Sequence, residues 1–244
     1  MSETGTLYLI PVPLVHLGAA VGAETLAAAL PAPALATARR LRHFVVEHAK
    51  TARAYLKHME LPVPLRELEL GELNEHTPAI RLESLLQPLL QGHDLGLMSE
   101  AGCPAIADPG ATLVALAQAR GIRVVPLIGP SSLLLALMAS GLDGQRFAFH
   151  GYLPAKPEER ARAIRELEKE SRERRQTQIF IETPYRNAAL YAALLQHAQP
   201  QTRLCLAADL TLAGEFIQTR RIRDWRKTPP PELERRPTVF LLLG

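Results

Sequence analysis

Short apolar runs alternate along this chain with longer stretches in which apolar residues recur every three or four positions. The runs Leu7–Ile10 and His43–Val46 predict buried strands, and the spacing over residues 49–59 and 112–120 predicts helices. Other segments follow the same two patterns, which predicts strands within 61–70, 94–98 and 123–128 and helices at 35–42, 82–90 and 131–140. This alternation predicts an α/β fold with a mostly parallel sheet.

The character of the sequence changes after residue 129. A heavily charged helix is predicted over residues 157–175, with Glu170 and Arg174 one helical turn apart, as on a solvated face. The remaining apolar runs predict strands at 147–152, 178–181, 203–207 and 238–243 and a helix at 187–196. With no internal repeat and no long linker, the sequence predicts two α/β domains, residues 1–129 and 130–244.

Composition narrows the function classes only slightly. The 244 residues are 47% hydrophobic, enough for a sizeable core, and 28 basic against 25 acidic residues give a net charge of +3. The basic residues cluster at 39–43 and at 220–227. A solvated face and a surface for a polyanion both fit these clusters. Trp225 stands alone as tryptophan and, with few other aromatic residues, predicts no stacking platform for bases.

Cysteine usage and hydropathy indicate the compartment. Cys103 and Cys205 form neither a disulfide framework nor a metal-ligand pair, and the histidines show no metal-site spacing. The chain begins with polar residues and lacks an apolar stretch of about 18 residues. We therefore expect a soluble, cytoplasmic protein without a metal ion and without a membrane segment.

Two segments rich in glycine and proline lie at the predicted ends of strands. They are Met98–Gly110, read as MSEAGCPAIADPG, and Pro126–Ser132, read as PLIGPSS. Both lack lysine and arginine, and α/β proteins build ligand sites at such strand ends. The pattern predicts a small polar ligand held by backbone groups rather than by long charged side chains.

Five motifs in order extend this pattern over nearly the whole chain. They read SEAGCPAIADPG from residue 99, PLIGPSS from 126, FHGYLPAK from 149, FIETPYR from 180 and AADLT from 207. In these motifs the chain resembles the tetrapyrrole methylase superfamily, and within it the ribosomal RNA small subunit methyltransferase I family. The resemblance implies two α/β domains with S-adenosylmethionine in the cleft between them, a homodimer, and 2′-O-methylation of a cytidine in small-subunit RNA.

The resemblance also implies site residues. It places the methyl donor against the strand-end loops of both domains, at Pro13, Gly102, Cys103, Ile106, Ser131, Ser132, Glu182, Thr183, Ala208 and Pro237. A sulfonium compound carries its own positive charge, so carbonyls and neutral dipoles are better neighbours for it than lysines.

The chain departs from the family pattern at three places. The first strand runs into Pro11-Val-Pro-Leu14 where the family has a glycine-rich turn, and the nearest glycines are Gly18 and Gly22. Ala208-Asp209 replaces an arginine and a glutamate, and Arg236-Pro-Thr238 replaces a Lys-Gly-Glu type entry to the last strand.

Methyl transfer to a hydroxyl group requires a base beside the acceptor. Two residues are predicted to be catalytic: Glu100, in place of an aspartate of the family, and Glu75, in a segment that resembles its Asn-Glu pair. Glu47 and His48 follow the second strand and are weaker candidates. A surface or capping role fits each of the four as well.

Two other functions remain open at this point. One is methylation of a tetrapyrrole or another small acceptor, which the superfamily also suggests. The other is a binding module that keeps the donor fold without transferring a methyl group, as the Pro11–Pro13 segment and Ala208 could indicate.

Overall fold

The computed structural model describes residues 4–15 and 22–244. Gly18, named above at the first turn, lies outside the described residues. The chain divides into two compact units, the first ending at Ser131 and the second beginning at Ser132. Each unit contains its own five-stranded sheet.

The first unit alternates strands and helices. Its strands are β1 (Leu7–Ile10), β2 (His43–Val46), β3 (Glu69–Glu72), β4 (Leu95–Met98) and β5 (Val124–Pro126). Its helices are α1 (Ala23–Ala29), α2 (Ala32–Arg39), α3 (Ala49–His58), α4 (Ala79–Leu85), α5 (Gln87–Leu90) and α6 (Gly110–Ala119). Leu65–Glu67 forms a 3₁₀ turn before β3.

All pairings in the first sheet are parallel, in the order β3-β2-β4-β1-β5. Phe44 and Val46 pack with the helices α1 to α3 in one buried cluster, while Leu95 and Leu97 pack with α5 and α6 in another. Both faces are covered, as a parallel sheet requires. The loops that follow the five strands therefore leave the sheet at one edge.

The second unit begins with an apolar helix. Its strands are β6 (Phe147–Tyr152), β7 (Thr177–Ile181), β8 (Arg203–Ala208), β9 (Phe216–Arg221) and β10 (Thr238–Leu243). Its helices are α7 (Ser132–Ser140), α8 (Pro157–Arg174), α9 (Asn187–His197) and α10 (Ile222–Trp225). Pro184–Arg186 forms a 3₁₀ turn.

The sheet of the second unit is mixed, in the order β6-β7-β10-β8-β9. Only the pair β6 and β7 is parallel, whereas β10 runs antiparallel to both β7 and β8, and β8 runs antiparallel to β9. The alternation that predicts a mostly parallel sheet lies in the first unit, where the prediction is confirmed, and the second sheet does not follow it. A seven-residue connection joins β8 to β9, too short for the crossover that parallel neighbours need.

Part of the basic cluster at 220–227 has a structural role. The Arg226 guanidinium donates hydrogen bonds to the carbonyls of Leu195 and Ala198, which end helix α9. Trp225 is 2% exposed, donates its indole N–H to the Leu204 carbonyl at 2.9 Å, and meets the Tyr191 ring edge-on. These contacts anchor α10 against the core of the unit.

Three observations bear on compartment and cofactors. Among residues 4–15 and 22–244, no helix is long and apolar enough to cross a membrane. The same residues contain no cluster of histidine, cysteine and carboxylate groups that could hold a metal ion. Cys103 and Cys205 are free thiols.

Replacing the buried indole tests the anchor at α10. We expect Trp225→Ala to destabilise the protein by about 3–5 kcal/mol, because it leaves a cavity and removes the indole hydrogen bond to the Leu204 carbonyl. Thermal unfolding followed by circular dichroism measures the loss, since Trp225 is the chain's one tryptophan. The exposed neighbour Arg223→Ala should change stability by no more than about 0.5 kcal/mol. Equal losses in both variants would contradict the anchoring role.

Candidate functional site

Three strand-end loops of the first unit are joined by backbone contacts. Val12, after β1, and Gly102, after β4, exchange two main-chain hydrogen bonds, of 2.9 and 3.1 Å. Gly129, after β5, approaches Pro11 so closely that a Cβ at residue 129 would lie 2.3 Å from the Pro11 Cβ. The proline segment after β1, including buried Pro13, is therefore pinned to both neighbouring loops.

The second of these loops needs glycine at residue 102. Gly102 has φ +70°, and a Cβ there would lie 3.1 Å from Leu14 Cδ2 and 3.5 Å from the Pro130 carbonyl oxygen. Cys103 points its sulfur at that carbonyl, at 3.3 Å. Burial raises the pKa of the Cys103 thiol, so the sulfur remains protonated and donates its S–H. Close backbone packing beside the proline segment after β1 is therefore made by Gly102 and Gly129.

The loop after β4 then forms a tight turn around Asp108. The Asp108 Oδ1 accepts the backbone N–H groups of Ala105, at 3.0 Å, and Gly110, at 2.7 Å. Ala105 and Ala107 both have positive φ, and Ile106 between them is 52% exposed. The turn thus presents an apolar side chain and backbone groups at the sheet edge, where a small ligand can contact them.

Carboxylates collect beside this loop, at the ends of β2 and β4. The Glu100 side chain is 17% exposed and lies between Thr51, whose hydroxyl donates to Oε2 at 3.2 Å, and His48, whose Nδ1 is 3.4 Å from Oε1. The Tyr55 hydroxyl donates to the Glu100 carbonyl at 3.0 Å. The backbone of Glu100 in turn donates to the carboxylate of Glu47. Glu100 is therefore held in a defined position at the same sheet edge as the loops after β1, β4 and β5.

The field at this edge is negative. Burial, followed by repulsion from Asp108 and Glu100, raises the pKa of Glu47. Burial also raises the pKa of Asp108, and burial together with the charge of Glu100 raises the pKa of Tyr55 to about 12. Such an edge favours a cationic ligand over an anionic one.

Glu75 lies in the turn after β3, and its carboxylate is 85% exposed. Its ion pair is with the adjacent and equally exposed His76, at 3.6 Å. The structure brings Glu100, His48 and Glu47 together, but it records no contact between Glu75 and this group. The role of Glu75 stays a prediction.

In the second unit, Glu182 directly follows β7 and has a fully buried side chain. Its Oε1 accepts the Thr183 backbone N–H at 2.7 Å and pairs with the Arg186 guanidinium at 2.6 and 3.0 Å. Its Oε2 is buried and has no hydrogen-bond partner within the described part of the chain. A buried acceptor without a partner is costly, so Oε2 is suited to a donor group on a ligand.

The departures from the family pattern in this unit contact each other. Asp209, after buried Ala208, accepts the Arg236 Nε at 2.6 Å, and its N–H donates to the Pro237 carbonyl at 2.9 Å. The Arg236 guanidinium also donates to the Gly214 carbonyl. The substitutions at 208–209 and 236–237 therefore form one ion-paired corner at the edge where β8 ends and β10 begins.

Comparison with known proteins decides the family. The family model described as Tetrapyrrole (Corrin/Porphyrin) Methylases matches residues 20–225. The chain belongs to the tetrapyrrole methylase family. It is an S-adenosylmethionine-dependent methyltransferase.

Curated members of this family are similar over most of the chain. A ribosomal RNA small subunit methyltransferase I from Xylella fastidiosa is 39% identical over 89% of this chain and 72% of its own length. The protein of the same name from Pseudomonas aeruginosa is 33% identical, over 91% and 73%.

Solved tetrapyrrole methylases share the fold. The methyltransferase CobJ has a TM-score of 0.62 at 18% identity, covering 100% of this chain and 95% of its own. The uroporphyrin-III-C-methyltransferase from Thermus thermophilus has a TM-score of 0.52, also at 18% identity, covering 98% and 92%. Both confirm the two-sheet α/β architecture.

The residues present fit the methyl donor of this family. The loops 99–110 and 126–132 contain no lysine or arginine, and the nearby carboxylates suit a sulfonium cation. Glu182 Oε2 offers an acceptor that nothing in the described chain uses. Ser131, Ser132 and Thr183 are half-buried, whereas Pro237 is exposed.

Sequence reasoning missed the residues that hold Glu100. Thr51 and Tyr55 lie one helical turn apart on α3, a spacing typical of one helix face, but nothing in the sequence indicated that this face meets the loop after β4. The strand register in the structure explains this contact. Val46 of β2 pairs with Met98 of β4, which places residues 47–48 beside residues 99–100.

The positive φ of Gly102 yields a matched test of the donor loop. Gly102→Ala and Gly121→Ala should each destabilise by about 1–2 kcal/mol, because alanine is strained at φ +70° and φ +67°. A Cβ at Gly121 meets nothing within 4 Å, so only Gly102→Ala should weaken S-adenosylmethionine binding, by at least about tenfold. Calorimetric titration measures the affinity. Unchanged affinity in Gly102→Ala would contradict the position of the donor loop.

The raised pKa of Glu47 predicts a pH-dependent gain in stability from Glu47→Gln. The folded state resists ionisation of this carboxyl, so stability is lost as the pH rises from the unfolded-state pKa, about 4.3, through the folded-state value. The amide avoids that cost and can still accept the Glu100 N–H. Glu47→Gln should therefore have the higher melting temperature at pH 7–8, and the gap should close below about pH 4.

Melting temperatures across that pH range measure the effect. As a control, Glu67→Gln changes an exposed residue, and its melting temperature should differ from the wild type by the same small amount at every pH. A gap that widens on acidification would show that the Glu47 carboxylate stabilises the fold.

Proposed function

We propose that this methyltransferase modifies ribosomal RNA of the small subunit, by 2′-O-methylation of a cytidine. Support for the substrate comes from relatives named ribosomal RNA small subunit methyltransferase I, which are similar over about nine-tenths of this chain. The observation that carries a hydroxyl acceptor is the position of Glu100, a fixed and partly exposed carboxylate at the edge of the donor loops.

In this proposal, one set of residues binds the methyl donor and another takes the proton from the acceptor. In the first unit, Pro13, Gly102, Cys103, Ile106 and Ser131 hold the donor; in the second unit, Ser132, Glu182, Thr183, Ala208 and Pro237 do so. Bound S-adenosylmethionine supplies an electrophilic methyl group. Glu100 accepts the proton of the acceptor hydroxyl, directly or through His48, and Thr51 fixes the rotamer of the carboxylate.

Glu75 is a second proposed catalytic residue. Its exposure suits contact with a macromolecular substrate rather than with the donor. The proposed setting is the cytoplasm, where ribosomal RNA and reduced thiols such as Cys103 and Cys205 coexist, and the proposed assembly is the homodimer that the family resemblance implies.

A transfer assay tests the substrate and the base together. The purified protein is incubated with labelled S-adenosylmethionine and small ribosomal subunits from a strain that lacks this gene. Label is expected in a 2′-O-methylated cytidine. Glu100→Gln should lower kcat at least about 100-fold, because the amide cannot accept the proton, while donor affinity stays within about threefold.

The controls separate the alternatives. Glu67→Gln changes an exposed residue and should have the wild-type kcat. A lower kcat in Glu75→Gln would indicate that the turn after β3 contacts the substrate. Wild-type turnover in Glu100→Gln would remove Glu100 from the mechanism. Donor binding without label in any RNA would contradict the RNA substrate, and label in a tetrapyrrole fraction would replace it with a small acceptor.

A further inference from the structure

Two exposed tyrosines lie at the strand-end edge of the second unit. Tyr152, the last residue of β6, is 54% exposed, and Tyr185, in the 3₁₀ turn after β7, is 73% exposed. β6 and β7 are parallel neighbours, and Tyr152 pairs in register with Ile181. Tyr185 follows Ile181 by four residues, so its backbone lies within about 14 Å of that strand end.

Local backbone geometry directs Tyr152 to this edge. The ladder between β6 and β7 shifts register between Phe149 and Tyr152, and Gly151 within the shift has φ +64°. A bulge of this kind re-aims the side chain that follows it. The edge strand thereby ends in an exposed aromatic ring rather than in a polar turn.

Tyr185 is supported by a fixed cation. The Arg186 guanidinium carbon lies 5.7 Å from the centre of the Tyr185 ring, and the guanidinium is held by buried Glu182 through bonds of 2.6 and 3.0 Å. A guanidinium over an aromatic ring is attracted to the face of the ring. The Tyr185 ring therefore contacts a fixed cation while most of its surface faces solvent.

An exposed basic residue lies close to each tyrosine along the backbone. Lys156 is 79% exposed, four residues after Tyr152, and pairs with Glu159 at 3.2 Å. Arg235 is exposed, and its backbone N–H donates to the carbonyl of Pro184, next to Tyr185. Cations beside exposed rings match a polyanion with stackable bases better than an apolar protein partner.

We propose that Tyr152 and Tyr185, flanked by Lys156 and Arg235, form a stacking surface for unpaired nucleotides of the RNA substrate. The proposal rests on the proposed RNA function and assigns a surface for holding the strand, separate from the residues assigned to donor binding and proton transfer. Bases in a duplex stack on one another, so the surface selects single-stranded RNA. Any base offers a face to stack, so binding depends little on sequence.

Fluorescence anisotropy with a labelled, unstructured 12-nucleotide RNA of mixed sequence tests the surface. Tyr152→Ala and Tyr185→Ala should each weaken binding by about 5- to 20-fold, the loss expected for one stacked base. Tyr→Phe at either position should bind within about twofold of the wild type, whereas Tyr→Leu should bind as weakly as alanine, because stacking needs the ring. The same RNA annealed to its complement should bind more weakly to the wild type and respond little to the tyrosine variants.

The matched control is Phe147→Ala, an exposed aromatic residue at the opposite end of β6, about 16 Å away. It should bind the RNA as the wild type does, and unchanged S-adenosylmethionine affinity in all variants verifies that the fold is intact. Wild-type affinity in both tyrosine-to-alanine variants, or an equal loss in Phe147→Ala, would overturn the stacking surface. If the wild type methylates small subunits while the tyrosine variants bind RNA normally, only this inference fails; if the wild type neither binds nor methylates RNA, the proposed function fails as well.

Discussion

The contact between the loops after β1 and β4 constrains the rest of the first unit's site. Val12 and Gly102 exchange both of their main-chain hydrogen bonds, and Gly129 leaves no room for a side chain beside Pro11. A proline segment cannot approach a ligand as closely as a glycine turn can, but it is stiff. The stiff β1 loop therefore holds the backbone of Gly102 in place.

Charge at the same edge explains why neutral loops and acidic neighbours occur together. The loops 99–110 and 126–132 contain no lysine or arginine, while Glu47, Glu100 and Asp108 lie together at the ends of β2 and β4. Burial, followed by repulsion from Asp108 and Glu100, raises the pKa of Glu47. Shifted pKa values of this kind cluster at functional sites. A cationic ligand beside these groups would relieve part of that repulsion. In the second unit, the buried Glu182 Oε2 has no hydrogen-bond partner within the described residues, which is also costly.

The sequence predicted local elements better than it predicted contacts. Apolar runs located nine of the ten strands, but β9 was missed because Phe216–Arg221 contains four polar or basic residues and only a weak alternation. The order of strands along the chain did not predict the mixed second sheet, since antiparallel pairing depends on connection length and register. Glu100 was found by its motif, whereas Thr51, Tyr55 and His48 meet it only through the pairing of β2 with β4. Likewise, Tyr152 and Tyr185 are 33 positions apart and reach the same strand-end edge only because β6 and β7 are parallel neighbours.

Hydrogen–deuterium exchange with and without S-adenosylhomocysteine tests most directly whether the strand-end loops hold the donor. Slower exchange is expected in peptides that cover residues 99–110, 126–132 and 182–183, because a ligand held by backbone groups protects the amides it contacts. Peptides from α8 should exchange at unchanged rates. Saturating ligand that leaves those three segments unprotected, or that protects other segments instead, would contradict the donor site at the strand ends.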